Sequence, residues 1–303
     1  MKGLNPGLKS VLWSVAALLL ILTLAVPGLN LLTIMVMMVP YVVLYTMLTT
    51  RSFLFHLIPV WVIAALLLGP AVLIIALFFL VPAVVMGQLY RKKAPAPSVL
   101  KRTFAALLAL LLLEMIVFQY ALGISMVDEL TNTVRTMMSE IQAQNVLPEQ
   151  WTESHTDALI RTMIHSIPLA FMVISFLFTV VAHYISRRVL RAGGIDVPAM
   201  PEAKDWRLPR GLVMLYLIVY VMALFVSAES NSFFSVAIVN LLPLLRLAFA
   251  VQAIGFFFYI AHERRWNKVV PVLIAIPVLL IPPLHLIGVL DAAFPIRKSF
   301  KKN

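Results

Sequence analysis

HSIPLAFMVISFLFTVVAHYISRRVLRAGG, residues 165–194, decides how the rest of the chain is read. It follows an acidic, polar region, crosses about 20 apolar residues, enough for a bilayer core of roughly 30 Å, and ends in Arg187, Arg188 and Arg191. This is a membrane helix running inward. At about 100° per residue, His165, Pro168, Met172, Ser175, Thr179, His183 and Ser186 fall within a sector of roughly 80°, and Leu, Phe, Val and Ile fill the opposite side. Lipid cannot satisfy hydroxyls and imidazoles, so the polar stripe is expected to face other helices or a cavity. Both readings stay open: helix packing through small polar groups, or the lining of a ligand site.

Working outward, 62% of the 303 residues are hydrophobic and only 12% are charged. Those proportions exclude an ordinary soluble domain and predict an all-α, polytopic membrane protein. Runs such as LLTIMVMMVPYVVLYTML are continuously apolar and lack the alternation of a transmembrane barrel. The absence of cysteine excludes disulfides, thiolate metal sites and cysteine catalysis. The net charge of +11 sits between apolar spans, so it predicts orientation in the membrane and no nucleic-acid partner.

Nine apolar segments are expected, at 11–26, 29–48, 53–68, 71–88, 103–123, 166–186, 210–228, 233–261 and 269–290. The first resembles a signal peptide but is long for one, and is read as an uncleaved span. If the first eight alternate, Lys2, Lys9, Arg51, the 91–102 cluster, Arg187 to Arg210 and Arg264 to Lys268 share one side. That side holds 17 of the 24 basic residues and is therefore expected to be cytoplasmic, with the N-terminus on it. The ninth segment would carry Arg297, Lys298, Lys301 and Lys302 to the wrong side. Pro277 and Pro282-Pro283 could instead fold it into a re-entrant hairpin, so eight and nine full spans both remain open.

Domain organisation follows from the breaks. A six-segment membrane bundle is expected over 1–192, carrying an external helical hairpin at 125–164. Within that hairpin, Val127, Leu130, Val134, Met137 and Ile141 recur at helical steps, and Ser154 with Asp157 suggests the cap of its second helix. A Pro- and Gly-rich cytoplasmic linker at 193–209 leads to C-terminal membrane helices and a basic tail over 210–303. Trp206 and Arg207 suit an interfacial anchor.

Glu114 lies in mid-span, where an acid costs about 3 kcal/mol or more. Arg246 is a basic residue equally deep in another span, and the two are natural partners. Gln119 and Tyr120 add polar groups at the outer half of the fifth span. Asn240, Arg246 and Gln252 share a helix, but six-residue steps place them on different faces. His165 and His183 stand about 27 Å apart along one helix and cannot share a metal. No metal or cofactor is expected, and no HExxH, GxSxG or P-loop supports an enzyme.

Four pieces, HYISRRVLRAGG (183–194), DWRLPRGLVMLYL (205–217), QAIGFFFYIAHERR (252–265) and GVLDAAFPIRKSF (288–300), together resemble the YybS-like family of predicted bacterial membrane proteins. That resemblance covers essentially the whole chain and implies a multi-pass fold in a bacterial cell membrane. In layout, the front six segments also resemble the substrate-binding membrane subunits of energy-coupling-factor transporters, which implies solute capture beside an ATP-driven partner. Where that family commonly carries an Ala-xxx-Ala docking pair, this chain has Ser10 and Ser14.

The reading is therefore a non-enzymatic membrane protein that binds a small solute as a transporter-like subunit. Its expected contacts are Glu114, Gln119, His165, Ser175, Thr179 and Arg246. The alternative is a scaffold recruiting a membrane or cytoplasmic protein through its basic face. Contact with the lipid bilayer is common to both.

Overall fold

The computed structural model describes residues 6–300 apart from 122, 145, 147, 149 and 227–231; Lys2, Lys301 and Lys302 of the preceding section lie outside the described residues. Each of the nine apolar segments is helical. The helices are α1 (Pro6–Thr23), α2 (Leu29–Val36), α3 (Met38–Met47), α4 (Thr50–Leu68), α5 (Val72–Arg91), α6 (Ala96–Ala121), α7 (Met126–Ala143), α8 (Glu153–His165), α9 (Ile167–Ala192), α10 (Arg210–Phe225), α11 (Phe233–Glu263), α12 (Val269–Leu280) and α13 (His285–Ala293). No strand occurs among the described residues.

Six stretches are long and apolar enough to cross a membrane: α2 with α3, α4, α5, α6, α9 and α11. The broken pair α12–α13 makes a seventh if counted as one span, while α1 and α10 are shorter apolar helices. Eight or nine spans were expected, and the difference lies in those two short helices and the broken pair. Pro282 and Pro283 cannot continue a helix, and α12 and the stretch Pro282–Ala293 are bent by 118°. The ninth segment is thus interrupted where its prolines suggested. Large apolar side chains such as Leu66, Phe225 and Leu280 stand outward, as a bilayer solvent permits.

The chain forms two compact units, Met1–Ile124 with Phe171–Met200 and Ser125–Ala170 with Pro201–Asn303. One division between the units falls between Met200 and Pro201, inside the 193–209 linker. The 125–164 hairpin was assigned to the front bundle, but it belongs to the unit of the C-terminal helices. Its own two helices are tied by an Arg135–Asp157 ion pair at 2.8 Å. Its second helix is capped two residues earlier than Ser154 suggested: Thr152 is the cap, and its backbone N–H donates to His155 Nδ1 at 3.2 Å.

In the first unit, α3 is almost wholly buried and packs on α1 and α5, while α5 also carries α6. Tyr41, Phe53, Phe79 and Met86 fill its core. Arg91, part of the basic cluster, donates to the carbonyls of Tyr45 and Leu48 and lies 3.9 Å from the Tyr45 ring centroid. These are end-of-helix carbonyls without intrahelical partners, so Arg91 caps α3.

In the second unit, α11 is the central rod, packed by α10, α12, α13 and the short turn Ala203–Asp205. Two glycines set how closely the pieces approach. A Cβ on Gly288 would land on the Phe249 carbonyl, and one on Gly255 would sit 2.9 Å from the Ala203 carbonyl. The linker's second half is therefore packed structure.

Candidate functional site

The α9 stripe is buried over its second half only: Pro168 is exposed, and His165 and Met172 are half-buried. Ser175, Thr179, His183 and Ser186 are all at most 4% exposed, whereas Phe176, Leu177 and Tyr184 on the other side are open. Steps of four, four and three residues keep those four on one face of a 3.6-residue helix. The Tyr90 hydroxyl on α5 is hydrogen-bonded to His183 Nδ1 at 2.8 Å, and the two rings lie 5.7 Å apart. Beyond that bond, the seam is unsatisfied. Ser175 Oγ, Thr179 Oγ1, His183 Nε2 and Ser186 Oγ are buried with no hydrogen-bond partner among the described residues. Thr103 Oγ1 on α6, in the same unit, is in the same state. Buried polar groups are paired in the great majority of cases, and each orphan costs about 1–3 kcal/mol.

Of the expected contacts, Ser175 and Thr179 are in this seam. Glu114 is half-buried on α6, eleven residues after Thr103, a spacing that returns a helix to within about 20° of the same face. Gln119 is exposed. His165 belongs to the second unit, where its carbonyl accepts from Asn240 Nδ2 at 2.7 Å. Arg246 is also in the second unit, with a buried Nε that has no hydrogen-bond partner among the described residues. Glu114 falls in the first unit and Arg246 in the second. Each was paired by elimination, as a lone mid-span charge, and depth along a helix does not fix its facing direction. His183, Ser186 and Thr103 were left out of the expected contacts. The first two could have been found, since they share the stripe, but Thr103 sits in a helix whose other polar residues drew no attention to it.

The second unit contains a buried ionic cluster that no spacing announced. Asp291 on α13 accepts from Arg297 Nη2 at 2.6 Å, from Arg297 Nε at 2.9 Å and from Gln252 Nε2 at 2.5 Å. Arg297 also donates to the carbonyls of Lys204 and Trp206, at 2.5 and 2.9 Å. Gln252 Oε1 accepts from the Leu208 N–H at 2.9 Å, and the Tyr259 hydroxyl donates to the Arg297 carbonyl at 3.0 Å. The Asp291 and Arg297 side chains are 1% and 5% exposed. Such a two-pronged, fully desolvated pair holds only with its remaining donors and acceptors filled, and here they are. Trp206, expected as an interfacial anchor, instead contributes its carbonyl to this cluster and donates its indole N–H to Pro201 at 3.0 Å. Asn240 and Gln252 serve different sites, as their different faces required: Asn240 Oδ1 accepts from the Leu169 N–H at 2.8 Å.

Helices of this length and polarity, with cationic turns between them, define a multi-pass integral membrane protein. The chain belongs to the family described as "Predicted membrane protein (DUF2232)", which matches residues 14–292. It is similar to "Uncharacterized protein YybS" of Bacillus subtilis (strain 168), 22% identical over 241 residues, 76% of each chain. No solved structure matches. The pieces that carried the YybS-like resemblance hold the parts of the ionic cluster: Trp206 in DWRLPRG, Gln252 in QAIGFFF, and Asp291 and Arg297 in GVLDAAFPIRKSF.

Proposed function

We propose that this protein is a non-enzymatic membrane subunit whose first unit binds a small hydrogen-bonding solute along the α9 seam, in the manner of a transporter's capture subunit. One observation carries the reading: Ser175, Thr179, His183 and Ser186 present four unpartnered polar atoms on one buried helix face. Hydroxyls and a ring nitrogen both donate and accept, so the solute is a neutral or weakly polar molecule with several hydroxyl, amide or ring-nitrogen groups. Glu114, on the Thr103 face of α6, would meet its polar end; Gln119, exposed on the same helix, would meet it at the entrance. His165 and Arg246 serve the second unit and are not needed for the first contact. The seam contains no nucleophile held against a base, which is why binding is proposed without catalysis.

Native mass spectrometry of the gently extracted full chain tests this. A retained small molecule is expected on the wild type, and its occupancy should fall about tenfold in S175A/T179V, the loss of one or two good hydrogen bonds. Equal occupancy in the two proteins, or none in either, would overturn the proposal.

A further inference from the structure

Away from the seam, the second unit has a cleft of about 740 Å³ where α11 ends and α12 begins, a volume in the range of ligand pockets. Its rim is charged. Glu202 and Lys204 pair across the turn at 3.0 Å, leaving Arg265, Lys268 and Glu263 as rim charges without an ion-pair partner among the described residues. Its lower wall is apolar, made by Phe258 and Pro271. Phe258 lies five residues, about 7.5 Å, up α11 from Glu263, and Pro271 is in the first turn of α12. Both helices are apolar, and the turn between them, RRWNK at 264–268, is polar and carries Trp266. That places the rim at the depth of lipid headgroups and the lower wall at the start of the acyl region.

Arg265, like Lys93 just past α5, occupies a left-handed conformation, φ 55°, just past the end of α11, where the Trp266 N–H reaches back to the Ala261 carbonyl at 2.8 Å. Glycine fits that position without strain.

We infer that this cleft binds a phosphate-bearing amphiphile with an amine in its headgroup, the chemistry of an aminophospholipid. Arg265 and Lys268 receive the phosphate, Glu263 receives the ammonium, and the chains leave past Phe258 and Pro271. A purely anionic headgroup would leave Glu263 facing like charge, which selects against it.

The test uses the full chain in phosphatidylcholine nanodiscs, titrated with dioctanoyl phosphatidylethanolamine, dioctanoyl phosphatidylglycerol, and glycerophosphoethanolamine, which has the headgroup without chains. The ethanolamine lipid should bind about tenfold more tightly than the other two, the difference one charge-assisted contact makes. R265G and K268Q should each weaken it about tenfold, and E263Q should erase its advantage over the glycerol lipid. R265G relieves the left-handed strain and K268Q changes an exposed side chain, so both variants are expected to fold; unchanged thermal unfolding verifies it. Equal binding of the two lipids, equal binding of the chain-free headgroup, or unaltered binding by all three variants would each overturn the assignment.

Discussion

The two units differ in how they bury most of their polar groups, though Arg246 Nε in the second is also unpartnered among the described residues. In the second, Asp291, Arg297 and Gln252 are desolvated together and satisfy one another and the 204–208 backbone. In the first, the α9 hydroxyls and His183 Nε2 are equally buried and unpartnered. A satisfied cluster fixes how α11, α13 and the linker meet, while the unsatisfied face of α9 is the one the proposed solute would occupy.

The sharpest way to break the comparison is to strand a charge in the second unit. Arg297→Met should destabilise the protein by about 3–5 kcal/mol, because the Asp291 carboxylate is left buried and unpaired. Adding Asp291→Leu should restore most of that loss, since an apolar pair avoids desolvation altogether. Thermal unfolding in detergent reads both. Next in size, Gly288→Ala should cost about 1–3 kcal/mol or more, as its Cβ meets the Phe249 backbone, which cannot move aside as a flexible side chain would.

The first unit should respond with the opposite sign. Thr179→Val removes a hydroxyl that has no partner, so stability of the solute-free protein should be unchanged or rise by up to about 2 kcal/mol. A fall of that size would mean the hydroxyl is satisfied, and the contrast between the units would collapse. The smallest effect concerns the exposed pair at the linker turn. The Lys204 ammonium beside Glu202 holds its carboxyl below the ordinary carboxylate value, and Lys204 is raised in return. A depressed folded pKa means the pair's contribution is present above the ordinary value and fades as pH falls through the lower one. Lys204→Ala should therefore return the Glu202 titration, followed by carboxyl NMR, to the ordinary range.

Much of this architecture could be read in advance. Each apolar segment contains helix, the proline pair interrupts the last, and the stripe is buried from Ser175 to Ser186 on the side its spacing assigned. Such features depend on local periodicity and on backbone groups that lipid cannot satisfy. The Glu114–Arg246 pairing rested on depth in a span alone, and depth does not determine which neighbour a side chain meets. The hairpin's unit was misassigned because its place in the chain, between two front spans, says nothing about which surface it packs on.

By itself, the sequence determined that the chain lives in a bilayer, where its helices run, and which face of α9 avoids lipid, since each rests on short-range periodicity and solvent preference. Only the tertiary structure decided that Asp291, Arg297, Gln252 and the Trp206 carbonyl converge, and that the α9 hydroxyls do not find partners. Residues up to 93 positions apart meet through helix crossings whose angles and offsets are set by packing, and no local pattern encodes that meeting.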